Sequence, residues 1–344
     1  MISMRKIILC FSIIISYLCF INLDVRAEEN DSDISFTIEG LPNDKQVDEN
    51  VPYYHLKEEP GEKDQITIKL INNSDREISL ETSITNANTN SNGLTDYTGA
   101  RADHDSLKMP LTSILTCKEK IVKVPAKSSV DQQFDISMPS EKFDGVIIGG
   151  IVVAEKNESK TDKQSLTLNN EYKYTMGVVL TNQDDNVIKK NISLMLEEVS
   201  PKLFDGKKTV EADILNDNSY IFTGKSIEAK IYSQENKTLV NEISLKDISI
   251  APHSSLPLQF DWGKVDLKSG NYLFQGTLID TDGKEWKFEK DFVIKADEAK
   301  SINEKSVFKI EIPSYLTTLS FCVIAVTLIL TIFIIYKYRE ESKL

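Results

Sequence analysis

Two long apolar segments, one at each end of the chain, constrain its fold more than any other feature. Residues 1–27 and 315–336 are the stretches that are apolar enough to enter a membrane, and the residues between them mix charged, polar and apolar side chains. We therefore expect residues 28–314 to fold in water, outside the membrane. A chain of this kind must bury its apolar side chains in cores of its own.

Residues 1–27 have the three parts of a secretory signal peptide. Arg5 and Lys6 give a positive start, an apolar run follows, and small side chains precede a cleavage position after Ala27. We expect cleavage there, and retention as an uncleaved anchor is the alternative. A lipoprotein signal does not fit, because bulky residues precede Cys19.

Residues 315–336 contain no charged side chain and are predicted to form a transmembrane helix. About 20 apolar residues in a helix cross a hydrocarbon core of about 30 Å. Tyr315 and Tyr336 mark the two ends, where aromatic rings favour the membrane interface. Basic residues in the tail, residues 337–344, favour a cytoplasmic tail and so leave residues 28–314 on the outer side of the membrane. A buried core helix is the alternative, but this length is unusual for one.

Charge and cysteine usage narrow the class of protein further. The formal net charge is -13 at pH 7, which disfavours nucleic acid as a partner and keeps the exterior soluble, with attraction of basic partners as the alternative. Of the four cysteines, Cys117 alone lies between the two apolar segments, so an intramolecular disulfide is not expected there. The exterior must then fold by its cores alone, and its length predicts two domains.

The exterior has the period-2 pattern of β-strands. Residues 65–71 and 77–84 alternate polar and apolar around a turn and are predicted to form a hairpin, with a long loop at residues 86–99. Residues 146–153 are almost continuously apolar, which predicts a central strand buried on both faces. Further strands are predicted at residues 120–124, 132–138, 172–181, 192–198, 209–215, 226–232, 243–250, 256–260, 271–279 and 286–294.

This spacing predicts an all-β fold of two immunoglobulin-like β-sandwich domains, followed by the C-terminal transmembrane helix. The polar stretch of residues 155–170 is the best candidate for the linker between them. The predicted segments are a signal peptide at 1–27, a first sandwich at 28–158, a second sandwich at 159–298, a stalk at 299–314, the membrane helix at 315–336 and the tail at 337–344.

The residues show no catalytic constellation. His55, His104 and His253 lack the spacing of a metal site, so we assign no catalytic, cofactor-binding or metal residues and no cofactor. Five other features have a structural interpretation that we favour over a functional one. Asp103 and Asp105 are expected to be solvated charges, residues 280–283 a hairpin turn, and Cys117 a small buried residue. Trp262 and Trp286 are expected to pack in a core. Gly145, Gly149 and Gly150 are expected where the backbone packs closely against its neighbours.

Several segments, taken together and in order, resemble the WxL-interacting proteins of Gram-positive bacteria. The first part of the resemblance lies in residues 53–56, 60–61, 72–74, 92–93, 97, 124–129 and, most specifically, 138–150. The second lies in residues 172–180, 251–252, 270–272, 286 and 292–294. One departure lies near Pro42, where the family tends to have a proline closely followed by Asn-Gln, and this chain has Asn43 and Gln46 separated by two residues.

The resemblance implies a peptidoglycan-binding domain, a host-binding domain and a C-terminal membrane helix. It implies peptidoglycan, WxL-domain surface proteins and host extracellular proteins as partners, and a non-enzymatic adhesion or scaffold function at the cell membrane. The residues that bind these partners are unknown. The alternative function is a wall-modifying hydrolase whose two carboxylates lie far apart in sequence and meet only in the fold.

Overall fold

The structure, a computed structural model, describes residues 35–156, 172–184 and 187–308, together with residues 324, 325, 327–329 and 332. The predicted signal peptide and cytoplasmic tail lie outside the described residues, and so does most of the predicted membrane segment. Within the described part of the chain, no helix has the length and apolar character needed to cross a membrane.

Between residues 35 and 308, the described chain contains eighteen β-strands, a 3-10 helix at Leu111–Ser113 and one α-helix. Their bounds are β1 Phe36–Gly40, β2 Tyr54–Lys57, β3 Lys63–Asn72, β4 Ile78–Asn86, β5 Asn88–Thr89, β6 Thr95–Asp96, β7 Leu115–Cys117, β8 Ile121–Val124, β9 Ser129–Ser137, β10 Val146–Glu155, β11 Lys173–Thr181, β12 Met195–Phe204, β13 Lys207–Asn216, β14 Phe222–Ser233, β15 Leu239–Ile250, β16 Ser254–Asp261, β17 Gly270–Asp280, β18 Glu285–Ile294 and α1 Ala296–Lys305.

The first sandwich packs a sheet of order β1-β3-β9-β7 against a sheet of order β2-β11-β10-β4-β8. Alternation in the sequence builds its core: in β3, Ile66, Ile68 and Leu70 are buried, and the residues between them are not. One face of each strand therefore meets the opposite sheet. With the second sandwich described below, this confirms the predicted all-β fold of two sandwiches.

Strands β3 and β4 do not form the hairpin that their adjacent patterns predicted. β3 pairs with β1 and β9, whereas β4 pairs with β10 and β8 in the opposite sheet. The side-chain amide of Asn72 turns the chain here, because it donates to the carbonyl oxygens of Arg76, Val124 and Pro125. An alternating pattern specifies a buried face, but it does not specify which sheet the strand joins.

Strand β10 is buried on both faces, as its continuous apolar run predicted. Ile147 and Ile151 belong to the first core. Val146 and Ile148 point to the opposite side and lie in a separate cluster that includes Ala251 of the second sandwich. One face of β10 is therefore core, and the other is the interface between the sandwiches.

Strand β11 corrects the assignment of residues 172–181 to the second sandwich. It follows the polar stretch of residues 155–170, yet it pairs antiparallel with β10 and parallel with β2. Met176, Val178 and Leu180 lie in the first core. By strand pairing, the first sandwich therefore extends past the predicted boundary to the end of β11. A polar composition signals a connection, and it does not distinguish a loop within a domain from a linker between domains.

The second sandwich packs a sheet of order β12-β13-β16 against a sheet of order β15-β14-β17-β18. Aromatic rings fill its core, where Phe260 and Phe274 meet edge to face with 6.0 Å between ring centroids. Trp286 meets Phe222 in the same way at 5.4 Å, and Trp262 also packs against this core. Both tryptophans therefore pack as the sequence predicted.

The turn between β17 and β18 is the predicted hairpin turn. Asp280 Oδ1 accepts hydrogen bonds from the backbone N–H groups of Asp282 and Lys284, and its Oδ2 accepts one from the indole of Trp286 at 3.0 Å. Burial alone would raise the pKa of Asp280, but these hydrogen bonds outweigh it and lower the pKa. The turn itself thus uses the carboxylate that a calcium loop would need.

Helix α1 corrects the start of the predicted stalk at residues 299–314. Ala299 is buried in the second core. The side chain of Asn303 accepts from the backbone N–H of Leu267 at 2.9 Å and donates to its carbonyl oxygen at 3.0 Å. The hydroxyl of Ser306 donates to a backbone carbonyl of the loop between β12 and β13 at 2.9 Å. This part of the stalk is therefore docked on the second sandwich.

The segment predicted as a long loop, residues 86–99, contains β5 and β6 and packs on the second sandwich. Thr89 Oγ1 accepts from the backbone N–H of Ala251 and from the hydroxyl of Ser254, both at 3.0 Å. The N–H of Ser249 donates to the carbonyl oxygen of Gly93 at 2.7 Å. Polar groups buried at this interface therefore keep their hydrogen bonds.

Gly145 brings the backbones of the two sandwiches together. Its φ is 80°, and a Cβ built there would lie 2.2 Å from the carbonyl oxygen of Ser219. The N–H of Val146 donates to that same oxygen at 2.8 Å. Gly149 and Gly150 also lack room for a Cβ, so all three glycines lie in the close packing that the sequence predicted.

We predict that a fragment of residues 28–158 does not unfold cooperatively, because it lacks β11. Met176, Val178 and Leu180 are buried, and each buried side chain of this kind contributes about 1.5–3 kcal/mol. That sum approaches the whole stability of a typical domain, roughly 5–15 kcal/mol. A fragment of residues 28–184 keeps them and should unfold in one transition by circular dichroism in denaturant. Equal cooperativity of the two fragments would contradict the assignment of β11.

We also predict that Gly145→Ala destabilises the protein more than Gly283→Ala does. Gly283 is a matched control, because its φ is 90° and nothing lies within 4 Å of the place where its Cβ would be. The control should lose only the backbone term of about 1–2 kcal/mol. Gly145→Ala adds the clash with Ser219, so its midpoint of thermal unfolding should fall further. Equal losses would mean that the sandwiches do not meet closely at this point.

Candidate functional site

One concave site among the described residues is a groove in the first sandwich. It has a volume of about 540 Å³ and opens between the edge strand β1 and the chain that leads into β2. Its lining comes from residues 38–43, residues 46, 49 and 51–54, and Met176 of β11. Because β1 and β2 are the edges of opposite sheets, the groove lies on an open side of the sandwich.

The floor of the groove is the margin of the first core. Tyr54 and Met176 belong to that core, and Ile38 packs against it. The hydroxyl of Tyr54 lies 2.6 Å from the carbonyl oxygen of Thr67 and 2.9 Å from that of Leu41, and burial raises its pKa to about 12. The ring is therefore fixed, and the floor is apolar.

One wall of the groove is the free edge of β1. The carbonyl oxygen of Ser35 accepts from the N–H of Asn73, directly after β3, at 2.8 Å, and the N–H of Leu41 donates to the carbonyl oxygen of Thr67 in β3 at 2.9 Å. Inward and outward groups alternate in an antiparallel pair, so Ile38 and Gly40 direct their N–H and C=O away from β3. Among the described residues, no strand pairs with β1 on that side.

The opposite rim is held by the two amide side chains near Pro42. Asn43 donates to the carboxylate of Asp64 at 2.8 Å and accepts from the N–H of Lys45 at 2.7 Å. Gln46 donates to the carbonyl oxygen of Tyr53 at 3.0 Å and accepts from the N–H of His55 at 3.2 Å. Both amides thus shape the rim, which is where the chain departs from the family pattern.

A buried carboxyl group, Glu58, lies beside this rim. Its side chain is fully buried, beside the carboxyl groups of Asp64 and Glu62. Burial first, and then the charges of Asp64 and Glu62, raise its pKa to about 8. Lys45 pairs with Glu62 at 2.7 Å and does not reach Glu58 closely enough to pair with it.

The three histidines lie apart from one another. His55 is buried in β2, and burial lowers its pKa. His104 lies 3.2 Å from Glu197 across the domain interface, and His253 lies near Ser219. The described residues contain no group of three or more His, Cys, Asp or Glu side chains arranged to hold a metal ion.

Cys117 is partly exposed and lies in a small polar contact. Its Sγ is 3.0 Å from Nε2 of Gln132 and 2.9 Å from the carbonyl oxygen of Glu119. The sequence prediction of a buried residue is therefore correct only in part. Asp103 is exposed but accepts hydrogen bonds from Asn86 and Asn88, so it is not only a solvated charge.

Two desolvated carboxylates do lie close together, on the outer face of β13. Glu211 and Asp213 share Lys202, whose Nζ lies 2.7 Å and 3.2 Å from them. Burial and the charge of Glu211 raise the pKa of Asp213. Burial opposes ionisation of Glu211 too, but Lys202 and Gln259 bond to it and lower its pKa. The cation between the two carboxylates makes them a structural ion cluster at the interface, where Arg101 of the first sandwich also lies 4.0 Å from Asp213.

Two family models match the chain, one for each part of this architecture. The model for the WxL Interacting Protein peptidoglycan binding domain matches residues 36–155. The model for the WxL Interacting Protein host binding domain matches residues 163–304. The chain belongs to the WxL-interacting protein family. In this WxL-interacting protein, β11 lies within the host-binding match, although its hydrogen bonds are to the first sandwich.

Several solved structures match the chain at low sequence identity and low TM-score. The Pseudomonas aeruginosa CupB2 chaperone is 12% identical over 66% of this chain and 91% of its own, with a TM-score of 0.26. The E. coli chaperone DraB is 12% identical over 76% and 96%, with a TM-score of 0.28. A PapD-like domain of human CEP192 is 12% identical over 43% and 85%, with a TM-score of 0.26. Among curated proteins, none matches.

We predict that Glu58 makes folding sensitive to pH. Its folded pKa of about 8 exceeds the unfolded value, 4.5. The folded state therefore binds the extra proton between these values, and stability is lost as the pH rises through that window, by at most about 1.4 kcal/mol per pH unit. The melting temperature of Glu58→Gln minus that of the unaltered protein should increase from pH 5 to pH 8 and then level off. Glu59→Gln, an exposed neighbour, is the control, and an identical pH profile for the two variants would contradict the prediction.

Proposed function

We propose that this protein is a membrane-tethered surface scaffold that binds the cell wall with its first sandwich and protein partners with its second. The observation that carries this proposal is the order of the two family matches, peptidoglycan-binding and then host-binding, over most of the chain. We propose WxL-domain surface proteins and host extracellular proteins as the partners of the second part. The two family matches support these partners.

The proposed location is the cell membrane, with the exterior on the cell-wall side. It rests on the sequence alone: a signal peptide at residues 1–27 and an uncharged apolar segment at residues 315–336. A tether at the C-terminal end would hold the second sandwich closer to the membrane along the chain than the first. The first sandwich would then extend toward the wall, which agrees with the order of the two domain families.

We propose a non-enzymatic function. Catalysis of glycoside hydrolysis needs two carboxyl groups that flank a substrate, one able to donate a proton and one able to attack or activate water. Glu211 and Asp213 are close, but Lys202 lies between them, and the side chain of Glu211 is only 5% exposed. A substrate would have to displace an ion pair before it reached either group, so a structural role is favoured.

The test is sedimentation with purified peptidoglycan. We expect the full-length chain and a fragment of residues 28–184 to sediment, and a fragment of residues 185–308 to stay in solution. Binding should weaken only modestly between low and physiological salt, because an acidic protein gains little from the anionic wall polymers and screening acts mainly on exposed charges. Equal sedimentation of the two fragments would contradict the proposal that the first sandwich binds the wall and the second does not.

Purified peptidoglycan also distinguishes the scaffold from the alternative, a wall-modifying hydrolase. Soluble sugar fragments released by the full-length chain, and abolished by Asp213→Asn, would support a hydrolase. No release, together with unchanged sedimentation of Asp213→Asn, would support the scaffold. Asp217→Asn is a suitable control, because this carboxylate is exposed and lies outside the Lys202 cluster.

A further inference from the structure

We propose that the groove along β1 binds an extended polypeptide segment with basic side chains, which adds to β1 as an antiparallel strand. This inference is separate from peptidoglycan binding and assigns a protein partner to the first sandwich. It is carried by the free edge of β1, the apolar floor and the charge of the rim.

The free edge supplies the main-chain contacts. Ile38 and Gly40 turn their N–H and C=O groups into the groove, because the groups of the alternate residues bond to β3. A sheet edge with unpaired main-chain groups accepts an added strand. The edge of β2 does not offer this, because Gln46 already bridges to Leu56 there.

The pleat of the sheet then determines the side chains of the added strand. Residues opposite Ile38 and Gly40 face inward, over Tyr54 and Met176, and should be apolar. Residues opposite Glu39 face outward. A strand of five residues matches the length of β1 and spans roughly 17 Å. Met176 is a flexible side chain that can adapt to the inward residues.

The charge of the groove determines which outward-facing residues the added strand should carry. The charged side chains that line the groove are the exposed carboxylates Glu39 and Glu49, and no Lys or Arg among the described residues belongs to this lining. A basic residue opposite Glu39 is stabilised across the strands, whereas an acidic one is repelled. A second copy of this acidic chain is a poor occupant for the same reason.

A glycan fits the groove less well. Sugar binding uses exposed aromatic faces and free hydrogen-bonding side chains. Here the ring of Tyr54 is buried and its hydroxyl lies against protein carbonyl oxygens. The amides of Asn43 and Gln46 are engaged within the rim. The other polar side chains of the lining are Glu39, Glu49 and the half-buried Tyr53, and beside them the unpaired main-chain groups of β1 match a peptide backbone.

The experiment measures fluorescence anisotropy of labelled peptides with the full-length protein. The probe is acetyl-Lys-Val-Lys-Val-Lys-amide, and its acidic counterpart carries Glu in place of Lys. We expect the basic probe to bind with a dissociation constant on the order of 100 μM, and the acidic one at least about tenfold more weakly. Equal affinity for the two peptides would overturn the charge argument and the proposal with it.

Backbone methylation tests the strand geometry. In an antiparallel strand the inward valines direct their N–H groups to β1, and the lysines direct theirs to solvent. N-methylation of the valines should therefore abolish binding, and N-methylation of the lysines should preserve it. The reverse pattern, or loss with both peptides, would overturn the proposed pairing.

Substitutions in the protein test whether the peptide binds in the groove. Glu39→Gln with Glu49→Gln should weaken the basic probe at least about tenfold. Glu81→Gln with Glu141→Gln is the matched control, because both residues are exposed and neither lines the groove. Equal affinity for both double variants would mean that the peptide binds elsewhere and would overturn the proposal. Displacement of the probe by a peptide-free wall glycan would show a carbohydrate site instead. Sedimentation with peptidoglycan is measured separately, so it can fail without affecting this result.

Discussion

The double burial of β10 is the constraint on which the rest of the structure depends. A strand that buries both faces needs a partner layer on each side. The first sandwich supplies one through its opposite sheet, and the second sandwich supplies the other through the cluster that contains Ala251. The same constraint requires glycine at positions 145, 149 and 150, because other segments of this chain lie too close to the start of β10 for a Cβ there. The two sandwiches therefore pack against each other through the outer face of β10.

The polar groups around that contact explain why the interface can be specific as well as apolar. Thr89 binds a backbone N–H and a hydroxyl of the second sandwich, and each would be costly to bury without a partner. The Lys202 cluster lies at the margin of the same interface. A buried ion cluster adds little net stability, but breaking it leaves an unpaired charge. Lys202, Glu211 and Asp213 all belong to the second sandwich, and Arg101 of the first sandwich reaches the cluster through Asp213.

Local patterns in the sequence predicted the elements better than their partners. The double burial of β10 and the hairpin turn at Asp280 were predictable from short segments of sequence. Burial on both faces and a tight turn each require particular residues within a few positions. The partner sheets of β4 and β11 could not, since the alternation of a strand says nothing about which sheet it joins. The docking of α1 was obscured by its charged residues, which surround the single buried Ala299. The groove was not predicted, because its lining comes from β1, the β2 region and Met176 of β11, and no local pattern joins them.

The open side of the first sandwich shows how a sheet edge can be protected and still be available. Edge strands risk pairing with other copies of the chain, and short length and charge are the usual protections. β1 has both: it is five residues long, it carries Glu39 on its outer face, and Pro42 follows soon after it. These features repel another acidic chain without removing the main-chain groups of Ile38 and Gly40. Protection by charge is selective, because a partner of the opposite sign is attracted by the same carboxylates that exclude a second copy.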